Sequence, residues 1–320
     1  MQSNDKQQWY IALDGGGTRT RAGICDATGQ IAAIADGEAG NPLSRPWEEV
    51  EGTVRQLVAG VLQQAGAAAE DVAALYLGLA GADRPQIKAR LAAAFAGEWG
   101  ERLLLDNDAI AALYAGTWGA PGVVLIAGTG SIAYAVTAAG ERHRTGGWGY
   151  LLGDEGSGYD LGRRAAAAVM RASDGRGSTT ALTELYLGHY GVQRPVELIA
   201  RIYGASNPRK ELADTSMLVE QAASAGDEVA GELIREAADE LIGLAAACLQ
   251  KAGSSVPVVL AGGLLAADTL LRREVLSHAR FAARIPAVAP VVGALVAALQ
   301  GAGRHVEADI QRRLQSSATV

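Results

Sequence analysis

The sequence predicts an α/β protein of two domains, each built on a mixed sheet. Three observations lead there. At 320 residues the chain exceeds what one hydrophobic core usually serves. Strand-like runs alternate with helical ones rather than segregating from them. A strand, a polar glycine turn and a second strand open each half, first as "IALDGGGTRTRAGICD" (11–26) and again as "VVLIAGTGSIAYAV" (123–136).

In chain order, 9–13, 20–26 and 30–35 are short apolar runs divided by glycine turns, the pattern of a three-stranded meander. Trp47, Val50, Val54, Leu57, Val58, Val61 and Leu62 then recur at spacings of three and four, which predicts an amphipathic helix. "VAALYLGLA" (72–80) and "RLLLD" (102–106) read as strands, each followed by a helix, at 84–97 and about 109–117. The pattern restarts at 122–137. From about 158 to 250 the Ala, Leu and Glu content predicts helices, with loops at 173–178 and 203–209. "VPVVLA" (256–261) returns to a buried strand, Gly262-Gly263 opens the next helix, and a last helix at about 290–301 precedes a polar tail, 305–320, expected to be mobile at its end.

Composition narrows the function classes. A net charge of −7 without basic clusters argues against a general nucleic-acid binder. Cys25 and Cys248 form neither a disulfide framework nor a spaced metal-ligand set, which fits a reducing cytoplasm. Two uncharged windows, 122–140 and 285–303, are long enough to span a bilayer, but one carries Gly-Thr-Gly-Ser and the other Pro286 and Pro290, so neither is expected to do so. "MQSNDKQQWY" lacks the basic and apolar regions of a signal peptide. The expectation is a cytoplasmic protein with no membrane and no nucleic-acid partner.

The chemistry lies in the glycine turns and the acids beside them. A hairpin turn of glycines leaves backbone N–H groups uncovered, a concave site for phosphate oxygens, and a Thr or Ser adds a hydroxyl donor. "DGGGTRT" and "AGTGS" both qualify, and as a pair they suit the phosphate chain of a nucleotide. Asp14, at a strand end beside the first turn, is where a hydrated Mg²⁺ would be held; the alternative is a turn-capping Asp. Neither turn ends in Gly-Lys-Ser/Thr, and a strand rather than a helix follows "DGGGTRT", so a P-loop and a dinucleotide fold are disfavoured. "LLLDNDAIAAL" (103–113) runs a strand into a helix. One of Asp106 and Asn107 would cap it, leaving Asp108 to accept a hydroxyl proton. "GGWGYLLGDEGSGYDLGRRA" (146–165) holds six glycines in its first thirteen residues around Trp148, Asp154 and Glu155. Such a loop suits polyol recognition, with a plain structural loop as the alternative.

"LDGGGTRTRAG", "NDAIAALYAG", "GVVLIAGTGSIAY", "GGWGYLLGDEGSGYDLGRRA", "PVVLAGGLL" and "APVVGALVAAL" together resemble the N-acetylglucosamine kinase and benzoyl-CoA reductase activator family, within the superfamily of sugar kinases, actin and heat-shock chaperones. The likeness runs from residue 9 to about 301, and "GGWGYLLGDEGS" is its most specific part. It implies two actin-like (ribonuclease H-like) lobes, each a mixed five-stranded sheet with helices, and ATP and sugar meeting in the cleft between them. The lobes would be 1–117, with the acceptor sugar and first phosphate loop, and 118–320, with the second phosphate loop, the adenosine site and a helical insertion at about 160–250. The helix at 290–301 would lie near the hinge.

On that likeness Gly16, Gly17 and Thr18 form the first phosphate loop, Asp14 positions Mg²⁺, Gly128, Thr129 and Gly130 form the second loop, and Gly262 and Gly263 pack on the adenosine. Asp108 matches the catalytic aspartate, and Asn41, Gly147, Gly149 and Asp154, with the neighbouring Trp148, match the sugar site. Two positions depart from relatives: Ile132 stands where animal N-acetylglucosamine kinases carry Asn, and Asp160 where relatives often carry Trp. The implied activity is transfer of the γ-phosphoryl of ATP to the 6-hydroxyl of N-acetylglucosamine or glucosamine. Alternatives are a kinase of another hexose or of N-acetylmuramic acid, and a reductase or dehydratase activator whose dimer holds an iron–sulfur cluster. Cys25 and Cys248 lie away from where that branch carries its cluster ligands. A sugar-sensing regulator would need a DNA-binding module, for which no room is expected before Trp9. Homodimers are common among relatives.

Overall fold

The computed structural model describes residues 7–17, 19–42, 45–253 and 255–318, and the chain divides into two compact units. Thr18, the first six residues of the polar N-terminal stretch and the last two of the tail lie outside the described residues.

The first unit contains residues 1–120 and 286–320. Its strands are β1 (Trp9–Gly15), β2 (Thr20–Asp26), β3 (Ile31–Gly37), β4 (Val72–Leu79) and β5 (Leu103–Asp106). Its helices are α1 (Trp47–Ala65), α2 (Pro85–Trp99) and α3 (Asp108–Thr117). The sheet order is β3-β2-β1-β4-β5, antiparallel through the meander and parallel from β1 to β5. Val54, Leu57, Val58 and Val61 of α1, together with Leu91, Phe95 and Trp99 of α2, bury against Ile11, Leu13, Ile24, Leu75 and Leu77, which builds one core.

The second unit, Pro121–Ile285, repeats the topology. Its strands are β6 (Gly122–Ala127), β7 (Ser131–Val136), β8 (Arg142–Gly146), β9 (Val258–Ala261) and β10 (Ala283–Arg284), in the order β10-β9-β6-β7-β8. Again an antiparallel meander continues into parallel strands. Between β8 and β9 come α4 (Gly158–Ser173), α5 (Leu182–Tyr190), α6 (Leu198–Tyr203), α7 (Pro208–Asp214), α8 (Ser216–Ser224) and α9 (Glu228–Ala252). Then α10 (Gly263–Ala266) and α11 (Leu270–His278) precede β10. Leu161, Ala165, Val219, Ala237 and Leu241 from these helices pack on Val123, Leu125, Ala133 and Ala135 of the sheet.

The expected domain boundary is corrected at the C-terminus. Rather than staying with the second half, α12 (Pro290–Gly301) and α13 (Ala308–Ser317) belong to the first unit. The cause is close packing: a Cβ on Gly293 would lie 2.0 Å from the Ala111 carbonyl oxygen, so α12 lies directly on α3. Small residues at the crossing let two helix backbones approach. The polar tail forms α13, which buries Ile310 and Leu314, and the Ser317 hydroxyl accepts the Ile31 amide at 3.0 Å; its expected mobile end lies outside the described residues. Among the described residues, no helix is long and apolar enough to cross a membrane.

Candidate active site

Strand register assembles the acids of the first unit. Asp14 pairs with Gly78 of β4, and Gly78 pairs with Asp106 of β5, so the carboxyl ends of β1 and β5 stand level across one small residue. Asn107 caps α3, its side-chain oxygen accepting the Ala109 amide at 2.9 Å while its amide group donates to Asp83 at 2.8 Å. That leaves Asp108 in the first turn, where the helix dipole favours a carboxylate. Burial nonetheless dominates. It pushes the Asp108 carboxyl up to about 7, with the charges of Asp14 and Asp83 adding and the Ala109 amide opposing. Burial likewise lifts Asp14 to about 7, against the pull of Arg19 and Arg21. Two neighbouring acids thus hold protons far more tightly than they would in water.

Such a pair suits a divalent cation. Mg²⁺ takes one or two carboxylates, keeps several waters and completes its shell from phosphates, so no cluster of three protein ligands is required. A cation beside Asp14 would restore its charge, and in that sense the donor set fits the ion.

The first glycine turn closes by a hydrogen bond from the Gly16 amide to the Arg19 carbonyl at 3.1 Å. The Cβ side of Gly16 is open, and that of Gly17 meets only the Asn41 amide nitrogen at 4.0 Å. Asn41, expected on the acceptor side, therefore stands beside the first glycine turn.

In the second unit β6 and β7 are closed by Gly128, Thr129 and Gly130, with the Gly128 amide donating to the Gly130 carbonyl at 2.9 Å. The α4 amides of Gly158 and Tyr159 donate to the Gly128 and Thr129 carbonyls, at 2.8 and 3.4 Å. These bonds turn the loop's carbonyls into the protein. Gly262 has φ +82° and sits so close to β6 that a Cβ would lie 2.3 Å from the Ala127 carbonyl oxygen. Only glycine fits there, and the approach brings the Gly263 amide within 3.9 Å of a Cβ position on Gly128. The expected phosphate and adenosine glycines of this unit thus share one corner.

The loop after β8 is held by unusual backbone. Gly147 and Gly149 have φ +66° and +89°, and Asp154, also at +66°, is a non-glycine residue in the left-handed region. Trp148 is 60% exposed with the Arg144 guanidinium 4.9 Å from its ring centre, and Arg144 also donates to the Gly147 carbonyl. Asp154, expected to face an acceptor, is instead only 3% exposed. It accepts the Ser131 amide at 3.3 Å and the Arg209 guanidinium at 2.9 Å. Burial raises its carboxyl, and Arg209 is the largest opposing influence. Asp160 anchors the same loop, accepting the Gly156 amide at 3.3 Å and Arg163 at 2.9 Å. Ile132 packs under Gly147.

Arg209 escaped the sequence reading. It lies at the edge of an expected loop, fifty-five residues from the carboxylate it meets, and no local pattern marks it. Cys25 and Cys248 are both fully buried, one in each unit, which suits packing rather than ligation of a shared cluster.

A mixed five-stranded sheet in each unit, with a glycine turn after its first strand, defines the actin-like fold class. Residues 11–298 match the BadF/BadG/BcrA/BcrD ATPase family, and the chain belongs to it. An N-acetylmuramic acid/N-acetylglucosamine kinase of Clostridium acetobutylicum is 32% identical over 263 residues, covering 81% of this chain and 86% of that protein. An N-acetyl-D-glucosamine kinase of Dictyostelium discoideum is 31% identical over 79% of this chain and 84% of its own. A crystal structure from Chromobacterium violaceum, provisionally assigned as an N-acetylglucosamine kinase, superposes with a TM-score of 0.74 at 31% identity, over 91% of this chain and 99% of that one. With kinship of this extent to named sugar kinases, the chain is an enzyme of the phosphotransferase class.

Proposed function

We propose that the protein is an ATP-dependent amino-sugar kinase that transfers the γ-phosphoryl of ATP to the 6-hydroxyl of N-acetylglucosamine or glucosamine. The observation that carries the reading is the pair Asp14 and Asp108 at one end of the first sheet. One acid stands beside a glycine turn, and the other opens a helix with its carboxyl raised to about 7. A general base works best with its affinity for protons near the operating pH.

Asp108 accepts the proton of the attacking hydroxyl. Gly16, Gly17, Thr18, Gly128, Thr129 and Gly130 are the residues given to the phosphates, and Gly262 and Gly263 to the adenosine. Mg²⁺, when bound, offsets the negative charge of the phosphates, and Asp14 is the residue to hold it. Asn41, Gly147, Trp148, Gly149 and Asp154 hold the sugar, the indole covering a C–H face while carboxylate and amide take hydroxyls. Positioning and electrostatics do most of the work in phosphoryl transfer, so these groups suffice in kind.

The test is ADP release measured with ATP and Mg²⁺ across glucosamine, N-acetylglucosamine, N-acetylmannosamine, N-acetylmuramic acid and glucose. N-acetylmuramic acid is included because the Clostridium relative is named for it. Turnover confined to amino sugars is expected. No transfer to any of them would overturn the reading.

A further inference from the structure

The second phosphate turn has two distinct ends. Gly128 adjoins the Gly263 amide, which the proposed function gives to the adenosine, whereas Gly130 adjoins Arg209 and Asp154. A Cβ on Gly130 would lie 2.9 Å from an Arg209 terminal nitrogen and 2.9 Å from both Asp154 oxygens. Asp154 belongs to the loop given to the acceptor. A phosphate chain running along the turn from the adenosine end toward the acceptor end therefore reaches Arg209 last.

The guanidinium has donors to spare. One terminal nitrogen bonds Asp154 at 2.9 Å, while Nε–H is buried without a hydrogen-bond partner. A buried charged donor left unpaired is costly, so the Asp154 bond alone does not satisfy this group, and its exposed terminal nitrogens are the part a phosphate oxygen can meet. Tyr150 braces the group from one side, its ring centre 5.5 Å from the guanidinium carbon. The side chain is 37% exposed, so a ligand can reach it.

We infer that Arg209 is the donor that binds the terminal phosphate of ATP on the Gly128–Gly130 turn, while its bond to Asp154 ties that phosphate to the acceptor loop. This rests on the kinase reading for the direction of the nucleotide along the turn. It adds a ligand contact and a consequence: the enzyme distinguishes ATP from ADP through this one side chain.

The experiment is calorimetric titration with a non-hydrolysable ATP analogue and with ADP, both with Mg²⁺, for the wild type, Arg209→Met, Arg209→Lys and Arg163→Met. Arg209→Met is expected to weaken the triphosphate roughly 10- to 100-fold, the scale of a charge-assisted hydrogen bond, and to leave ADP nearly unchanged. Arg209→Lys, which keeps the charge and the fold, should retain part of the preference. Arg163→Met, which removes an arginine paired with Asp160 on α4, should retain all of it. Equal weakening of both nucleotides, or no change in either, overturns the assignment; so does a shift in the acceptor's Michaelis constant alone. Should Arg209→Met fail to fold, a wild-type ATP-to-ADP ratio in Arg209→Lys together with wild-type binding of both also overturns it. A wild type that binds both nucleotides and phosphorylates no amino sugar is instead the failure of the kinase reading, read separately from the nucleotide ratio.

Discussion

At Asp14 and Asp108 burial makes the folded chain hold protons more tightly than the unfolded one. Both carboxyls are raised from 3.8 to about 7 in the folded chain. Folding therefore takes up protons between those values, so this contribution to stability is greatest below the ordinary carboxyl range and is lost as pH rises through about 7. The melting temperature of the ligand-free protein should fall from about pH 5 to about pH 8, with a smaller slope in Asp14→Asn or Asp108→Asn. An unchanged slope in both variants would remove these acids as its source. Asp154 makes a different prediction. Its replacement by Ala should raise the acceptor's Michaelis constant about tenfold or more, on the scale of a charged hydrogen bond, with a smaller rise for ATP through the lost Ser131 contact. A change confined to ATP would take Asp154 off the acceptor side. The sequence leaves the cap of α3 open between Asp106 and Asn107; the structure gives it to Asn107, which leaves Asp108 in the first turn. Arg209 was not legible, since its partner is brought to it only by packing of the insertion helices.

Among the elements, the strongly apolar ones were legible and the polar ones were not. β1, β6 and α1 carry clear periodicities, whereas β8 reads "RHRTG" and forms a strand because its backbone pairs with β7. β10, two residues long, has no pattern to read and is set by its parallel pairing with β9. α13 looks polar because only Ile310 and Leu314, with Ser317, are buried among ten residues. Its docking is nevertheless close, for a Cβ on Gly29 would lie 2.8 Å from an Ile310 side-chain carbon. Leu314→Ala should cost about 2–5 kcal/mol in denaturant unfolding, the usual range for a fully buried leucine. A change within error would mean that α13 contributes nothing to the first unit. The crossing of α12 and α3 is the converse case, where space rather than surface is limiting. Gly293→Ala should destabilise by about 1–3 kcal/mol, since the added methyl meets helix backbone that cannot rotate away.

For the whole molecule, the chain leaves the first unit after residue 120 and returns to it at 286. The sequence could not announce that return, because the apolar face of α12 would suit either core. Its small residues opposite Ala111 and Ala115 carry the signal, and it becomes readable only when α3 is in view. Two separate cores of this kind respond to ligand by mass action, and ATP with Mg²⁺ at a hundred times its dissociation constant should stabilise the protein by about 2.7 kcal/mol. The central claim of the proposed function is that Asp108 is the base of the transfer. Single-turnover reaction of γ-labelled ATP with N-acetylglucosamine, comparing the wild type with Asp108→Asn under saturating nucleotide, tests it most directly. The account predicts label on the 6-oxygen in the wild type, and in the variant a rate lower by about two to four orders of magnitude with nucleotide affinity preserved. Transfer at a near wild-type rate in Asp108→Asn, or label on another oxygen of the sugar, would contradict it.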